Sequence, residues 1–346
     1  MSIFNIIQFF PAFLIFFAIP RLFTAEDLVK FNGILFAFSI IHFLGSVVEI
    51  ISPGSFMNLI YFGKPSTGVA YGKELIRFVG GITIHLYVMF AGLYYLSRSN
   101  RIYKSWYLWL VVLLSWLFIL NSATRGWMIA SSFFVLSYFI FNTATGKISI
   151  RTALSLILIA TAVLVFIPDS FKKNIGAAFD RLETVEALTE GDDTAEGTLS
   201  RLTERGPRVL TRFSESPVVG YGFSRVTADY YDEHVGNHDL LLMGGVVGLA
   251  ILWITFLSLI FFLFRKEFRN PGNGFYVIGL FMAVILIIHS TSRSMVSYYM
   301  SADAAFLISL AFNHFNTTFP GYLRFRTGPV KTPDYKNIRS ETTVPE

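Results

Sequence analysis

The chain has 346 residues, of which 53% are hydrophobic, 17% aromatic and only 15% charged. A soluble globular protein carries about 25% charged residues, so these values exclude an ordinary water-soluble enzyme, and the high apolar content excludes a disordered chain. There is no cysteine, so disulfides, thiolate metal sites and cysteine nucleophiles are excluded. The net charge of +5 is read as loop charge facing anionic partners, with no nucleic-acid partner expected.

An α-helix rises 1.5 Å per residue, so about 20 apolar residues cross the ~30 Å hydrocarbon core of a bilayer. Nine segments are expected to do so: 1–19, 31–51, 78–97, 106–121, 126–142, 150–168, 238–264, 275–292 and 296–313. Each is apolar all round, which points to lipid or to a bundle interior rather than to an amphipathic surface helix. The first carries Pro11 and Pro20 and has no basic residue ahead of it, unlike a cleaved signal peptide. No repeat, heptad or broken helix is legible. A transporter would call for internal repeats and broken helices around a midplane site.

Lysine and arginine in short connections set the orientation. They gather at 98–105, 143–151, 265–274 and after 313, whereas the alternate connections carry only Arg125 and Arg293. The first set is therefore assigned to the cytoplasm. Two long connections then face outward, 52–77 and 169–237. The expected architecture is all-α: a polytopic transmembrane helical bundle with one large extracytoplasmic loop. It divides into an N-terminal bundle (1–168), the loop (169–237), C-terminal transmembrane helices (238–313) and a disordered cytoplasmic tail (314–346).

The residues able to do chemistry collect on the outward face. Arg125, in Asn121-Ser-Ala-Thr-Arg-Gly-Trp127, sits at the mouth of the fifth segment. An arginine there serves either as an interfacial anchor or as a bidentate partner for a diphosphate. Arg201, Arg205, Arg208, Arg212 and Arg225 follow in the large loop, with Glu204 and Glu215 placed to neutralise some of them at helical i,i+3 spacing. His234 and His238 lie four apart before the seventh segment. Gly236 between them and the lack of a third ligand argue against a metal, so an acid–base or hydrogen-bonding role is expected. Glu49, Asp303 and the His289/Arg293 pair are ionisable groups at or within apolar segments, where such groups are functional candidates by default. No P-loop, GxSxG, GxGxxG or HExxH motif occurs.

Three of these segments together resemble the O-antigen polymerase and ligase superfamily. Ser122-Ala-Thr-Arg125-Gly126 is similar to that family's S-R-G at the start of a span. Ser200-Arg201 followed by Pro217-Val-Val-Gly220-Tyr-Gly222 is similar to its S-R…P-x-x-G-x-G stretch. His234 with Gly245-Val-Val-Gly248 has the spacing of its His…GxxG, although Val235 replaces a polar residue and Asn237-His238-Asp239 competes for the histidine. The Arg77-Phe-Val-Gly80 stretch resembles the segment that precedes the S-R-G helix. Over about 77–312 the resemblance implies a GT-C-like bundle in a bacterial inner membrane with a periplasmic active face. It implies transfer of a glycan from undecaprenyl diphosphate to an acceptor sugar hydroxyl, with Arg125, Arg201 and His234 or His238 catalytic. Arg77, Arg205, Arg208 and Arg293 would bind substrate. No cofactor or metal is implied. The implied partners are the lipid-linked oligosaccharide, an acceptor glycan and a chain-length regulator. Polymerase, with a lipid-linked acceptor, is preferred; ligase, with lipid A-core as acceptor, and a non-enzymatic lipid-linked glycan transporter are the alternatives.

Overall fold

The computed structural model describes residues 10–56, 81–98, 102–122, 124–146, a few residues between 169 and 176, 205–232, 235–292 and 301–318. Among the described residues the regular structure is entirely helical. Among the described residues ten extended helices follow in order: α1 (Phe10–Leu22), α2 (Ala25–Ile51), α3 (Ile82–Ser97), α4 (Ser105–Asn121), α5 (Arg125–Ala144), α6 (Gly206–Phe213), α7 (Arg225–Tyr230), α8 (Gly236–Arg269), α9 (Phe275–Thr291) and α10 (Ser301–Thr318). Helices α2, α5 and α8 are long and apolar enough to cross a membrane, and α3, α4 and α9 are shorter apolar helices. The 150–168 segment lies outside the described residues.

α2 starts earlier than its apolar run. Thr24 and Asp27 form a reciprocal capping box, which adds a polar first turn ahead of residue 31 and typically stabilises by ~1 kcal/mol. α10 runs past 313 to Thr318, where the polar sequence suggests a tail. The reason is that these polar groups find partners inside the bundle. Asn313 donates to the Phe23 carbonyl at 3.3 Å, and His314 is only 2% exposed. Its Nε2 lies 3.3 Å from the Tyr87 hydroxyl and 3.4 Å from Asn32 Nδ2.

The bundle is centred on α3 and α9, whose residues are buried nearly all round. They meet through the stacked rings of Phe90 and Phe281, 4.4 Å between centroids. α9 also packs against α5 and α8. At one end of α5 the Asn142 amide donates to the Tyr276 hydroxyl at 2.6 Å, and Phe141 stacks on Tyr276 while touching Phe264 and Phe268 of α8. Between apolar helices in lipid, such close ring packing and interhelical hydrogen bonds drive association, because burial of apolar area gives no net gain.

Two buried glutamates close helix ends by the same device. Glu49 accepts from the amides of Gly54 at 2.5 Å and Phe56 at 2.8 Å. Glu267 accepts from those of Gly272 and Phe275, both at 2.8 Å. Each carboxylate reaches over the turn after its helix and satisfies amides there. This assigns Glu49 a structural task where its position alone suggested function.

Candidate functional site

α8 does not run straight. Gly245 has φ 62° and ψ −162°, a region of backbone space that is essentially restricted to glycine. The chain doubles back there: Trp253 Nε1 donates to Asn237 Oδ1 at 3.2 Å. Sixteen residues of continuous helix would hold these groups about 24 Å apart, so the first piece, from Gly236 to the break, folds beside the second. Leu240 correspondingly lies against Gly248. A broken helix was not legible in the sequence, because the Gly244-Gly245 pair interrupts no apolar periodicity in a segment that is apolar all round.

The break exposes backbone groups, and the Pro217–Gly222 segment takes them up. Tyr221 and Gly222 donate to the carbonyls of Leu242 (2.7 Å) and Met243 (2.8 Å), while Val246 and Val247 donate to those of Pro217 (2.9 Å) and Val218 (3.1 Å). Four bonds thus staple the loop across both pieces of α8. The approach is too close for side chains. A Cβ at Gly220 would stand 2.6 Å from the Leu242 carbonyl oxygen, and one at Gly245 would collide with the Val218 carbonyl. Two motifs separated in sequence, P-V-V-G-Y-G and G-V-V-G, are therefore one structural unit.

This unit carries His238 in the first turn of α8. Its Nδ1 lies 2.8 Å from Asp232 Oδ2. Asp232 is buried, with its side chain 1% exposed against 26% for His238. The amide of Asp232 in turn donates to Asp239 Oδ1 at 2.8 Å, which fixes the carboxylate-bearing turn. In the tautomer whose Nδ1–H donates to the carboxylate, Nε2 is the acceptor nitrogen, the arrangement a general base needs. Asp232 and Asp239 were not among the expected site residues. The signal available was an acid on either side of His238 in Asp232-Glu-His234-Val-Gly-Asn-His238-Asp239, but only the fold-back of the chain selects Asp232.

Arg125 opens α5 at the same end of the bundle. Gly126 packs directly against Ser292, with Thr291 alongside, at the end of α9, and Gly236 packs against His289 one turn below. Both glycines exist for close approach: a Cβ on either would enter its neighbour. Gly126, next to Arg125, and Gly236, two residues before His238, thus both meet the last turn of α9. Arg208, exposed on α6, reaches the segment that carries Asp232. Its Nη2 donates to the Tyr231 carbonyl at 3.5 Å, next to Asp232, and its guanidinium lies 5.8 Å from the Tyr230 ring centroid.

The remaining loop arginines differ. Arg205 is exposed at the start of α6. Arg212 is committed to structure: its Nη1 holds both Glu215 oxygens at 2.6 and 2.7 Å, and it sits 5.4 Å from the centroids of Tyr221 and Tyr230. The Tyr221 hydroxyl donates to Glu215 Oε2 at 3.0 Å. That bond and the Arg212 guanidinium hold the Glu215 carboxyl below its ordinary value. Arg225 pairs loosely with Asp229 at 3.6 Å. Arg77, Arg201, His234 and Arg293 lie outside the described residues, as does the connection between α9 and α10. No group of histidine, aspartate and glutamate that could hold a metal occurs among the described residues.

Other buried polar groups serve the bundle interior. His42 Nδ1 and His85 Nε2 are 3.0 Å apart, and His85 reaches Ser115 at 3.3 Å. Asn32 bridges Tyr87 and Tyr95 at 2.9 and 3.0 Å. Asp303 is exposed in the first turn of α10.

No protein-family model matches the chain, and none of the curated proteins matches its sequence.

Proposed function

We propose that the chain is a membrane glycosyltransferase of the polysaccharide-polymerase type, in a helical bundle of about nine spans related to the GT-C architecture. The donor would be an oligosaccharide on undecaprenyl diphosphate, the acceptor a sugar hydroxyl of a second lipid-linked unit, and the active face periplasmic. The observation that carries this reading is the His238–Asp232 pair at the same bundle end as Arg125. Of the segments that resemble the O-antigen polymerase and ligase superfamily, the described Pro217–Gly222 and Gly245–Gly248 stretches are bonded to each other beside it.

In this reading the acceptor oxygen attacks the anomeric carbon as His238 Nε2 takes its proton. The bond from that carbon to the diphosphate oxygen breaks, with inversion, and its electron pair leaves with the lipid diphosphate. Arg125 and Arg208 face the charge that develops there, a role in which fixed cations are most effective. Arg201 joins them by resemblance. The energy for transfer resides in the donor, so no nucleotide is required.

Complementation of a strain lacking its polysaccharide polymerase tests this, read as a glycan ladder on a gel. A ladder restored by the wild-type chain and absent with Arg125→Ala, at equal membrane abundance, is the expected result. Accumulation of long lipid-linked chains with no surface glycan in a deletion of the native gene would favour the ligase. The break in α8 is the one observation that favours a transporter, since broken helices often line transport sites. A ladder independent of the gene would put that reading first.

A further inference from the structure

Of the long apolar helices among the described residues, α8 is the least buried. From Val246 to Phe264 it holds only Thr255 and Ser258 as polar side chains. Ile251, Ile254, Leu257 and Phe261 are 51 to 68% exposed. This stretch runs about 28 Å at 1.5 Å per residue, close to the ~30 Å hydrocarbon core, and Arg265 and Lys266 follow at its far end. The break at Gly245 therefore falls at the opposite hydrocarbon boundary, and so does the segment stapled to it.

At that level four valines form one exposed patch. Val218 and Val219 of the stapled segment are 61 and 65% exposed, and Val246 and Val247 of α8 are 53 and 46% exposed. The Val247 amide bonds to the Val218 carbonyl, so the two pairs are neighbours in space. Val247 lies on the same face of α8 as Ile251, Ile254 and Phe261, at helical spacing, so the patch adjoins the lipid-facing side of that helix. The four staple bonds also satisfy backbone groups at the loop tip. Irregular backbone can meet lipid only under that condition, because an unsatisfied amide costs several kcal/mol there.

We propose that Val218 and Val219 insert into the boundary between headgroups and acyl chains, making the stapled loop an interfacial membrane anchor that fixes the depth of Asp232 and His238. The occupant of the patch is lipid, not a second protein. A protein partner would require the patch to be separate from the lipid face, and it adjoins that face. This inference rests on the membrane reading of α8 and not on the proposed chemistry, so a failed ladder assay leaves it standing and the reverse is also true.

The absence of cysteine from the chain makes the test direct. Val218→Cys, Val219→Cys and, for comparison, Ser214→Cys are introduced singly into the full-length protein. Ser214 is exposed on the turn after α6. Each is labelled with an environment-sensitive fluorophore and reconstituted into phosphatidylcholine–phosphatidylglycerol vesicles. Expected are blue-shifted emission and quenching by doxyl-labelled lipids at 218 and 219, with iodide quenching at 214. Iodide quenching at 218 and 219 as strong as at 214, without a blue shift, would overturn the proposal. Val246→Cys, which leaves the loop sequence intact, supplies a second readout, and an aqueous signal there would overturn it equally.

Discussion

Replacing Gly245 with alanine probes the staple that holds His238 in place. The backbone at φ 62° and ψ −162° costs a residue with a Cβ about 1–3 kcal/mol. The new methyl would also enter the Val218 carbonyl, so relief requires the loop to lift and the bonds from Val246 and Val247 to Pro217 and Val218 to open. Each backbone bond contributes about 0.5–1.5 kcal/mol net, so the staple should weaken by about 2–6 kcal/mol in all. At 1.4 kcal/mol per decade, hydrogen exchange at the amides of Tyr221, Gly222, Val246 and Val247 should accelerate by between about 30-fold and 10⁴-fold. Amides of α3 should not change, because that helix packs against α2, α4, α9 and α10 and not against the stapled pieces. Glycan-ladder formation should fall with it. Unchanged protection at those four amides in Gly245→Ala would refute the claim that the break and the loop form one unit.

Three further outcomes follow from the geometry. Asp232→Asn should lower turnover by about 10²-fold or more with little change in apparent donor affinity, since it removes the charge that orients His238 but touches no donor group; separating kcat from KM in a membrane assay checks this. Glu215 titrates below its ordinary value of 4.5 when folded, so its contribution to the 206–222 segment is present above that value and lost as pH falls through the lower one. Pepsin cleavage of this segment should rise as the medium is acidified below pH 4.5, and Glu215→Gln should show the raised cleavage already above it. Tyr87→Phe removes the donor to Asn32 Oδ1 and should destabilise by about 0.6–2 kcal/mol, the range for interhelical hydrogen bonds in lipid, seen as a lower melting temperature in detergent.

The helical class was legible because membrane helices declare themselves by composition and length alone. The apolar runs at 31–51, 78–97, 106–121 and 275–292 overlap α2, α3, α4 and α9. What composition could not reveal was the fold-back at Gly245, because apolar residues flank the break on both sides and carry no period. The end of α10 was missed for the opposite reason: Asn313 and His314 read as polar tail, and only Phe23, Asn32 and Tyr87 from distant helices make them interior. At the site, arginine and histidine stood out by charge and position, and the Arg212–Glu215 pair by its i,i+3 spacing. Asp232 did not stand out, since nothing in its spacing marks it and its role rests on the tertiary approach of its carboxylate to within 2.8 Å of His238.

The most direct test of the central claim is release of undecaprenyl diphosphate, measured by mass spectrometry, in membranes supplied with the lipid-linked repeat unit of the native polysaccharide. The wild-type chain should release it together with glycan of two or more joined repeats. Arg125→Ala and His238→Ala should each abolish both products while the protein remains in the membrane at normal abundance. Joined repeats and lipid diphosphate at wild-type levels from both variants would contradict the account, because the two residues would then have no part in the transfer.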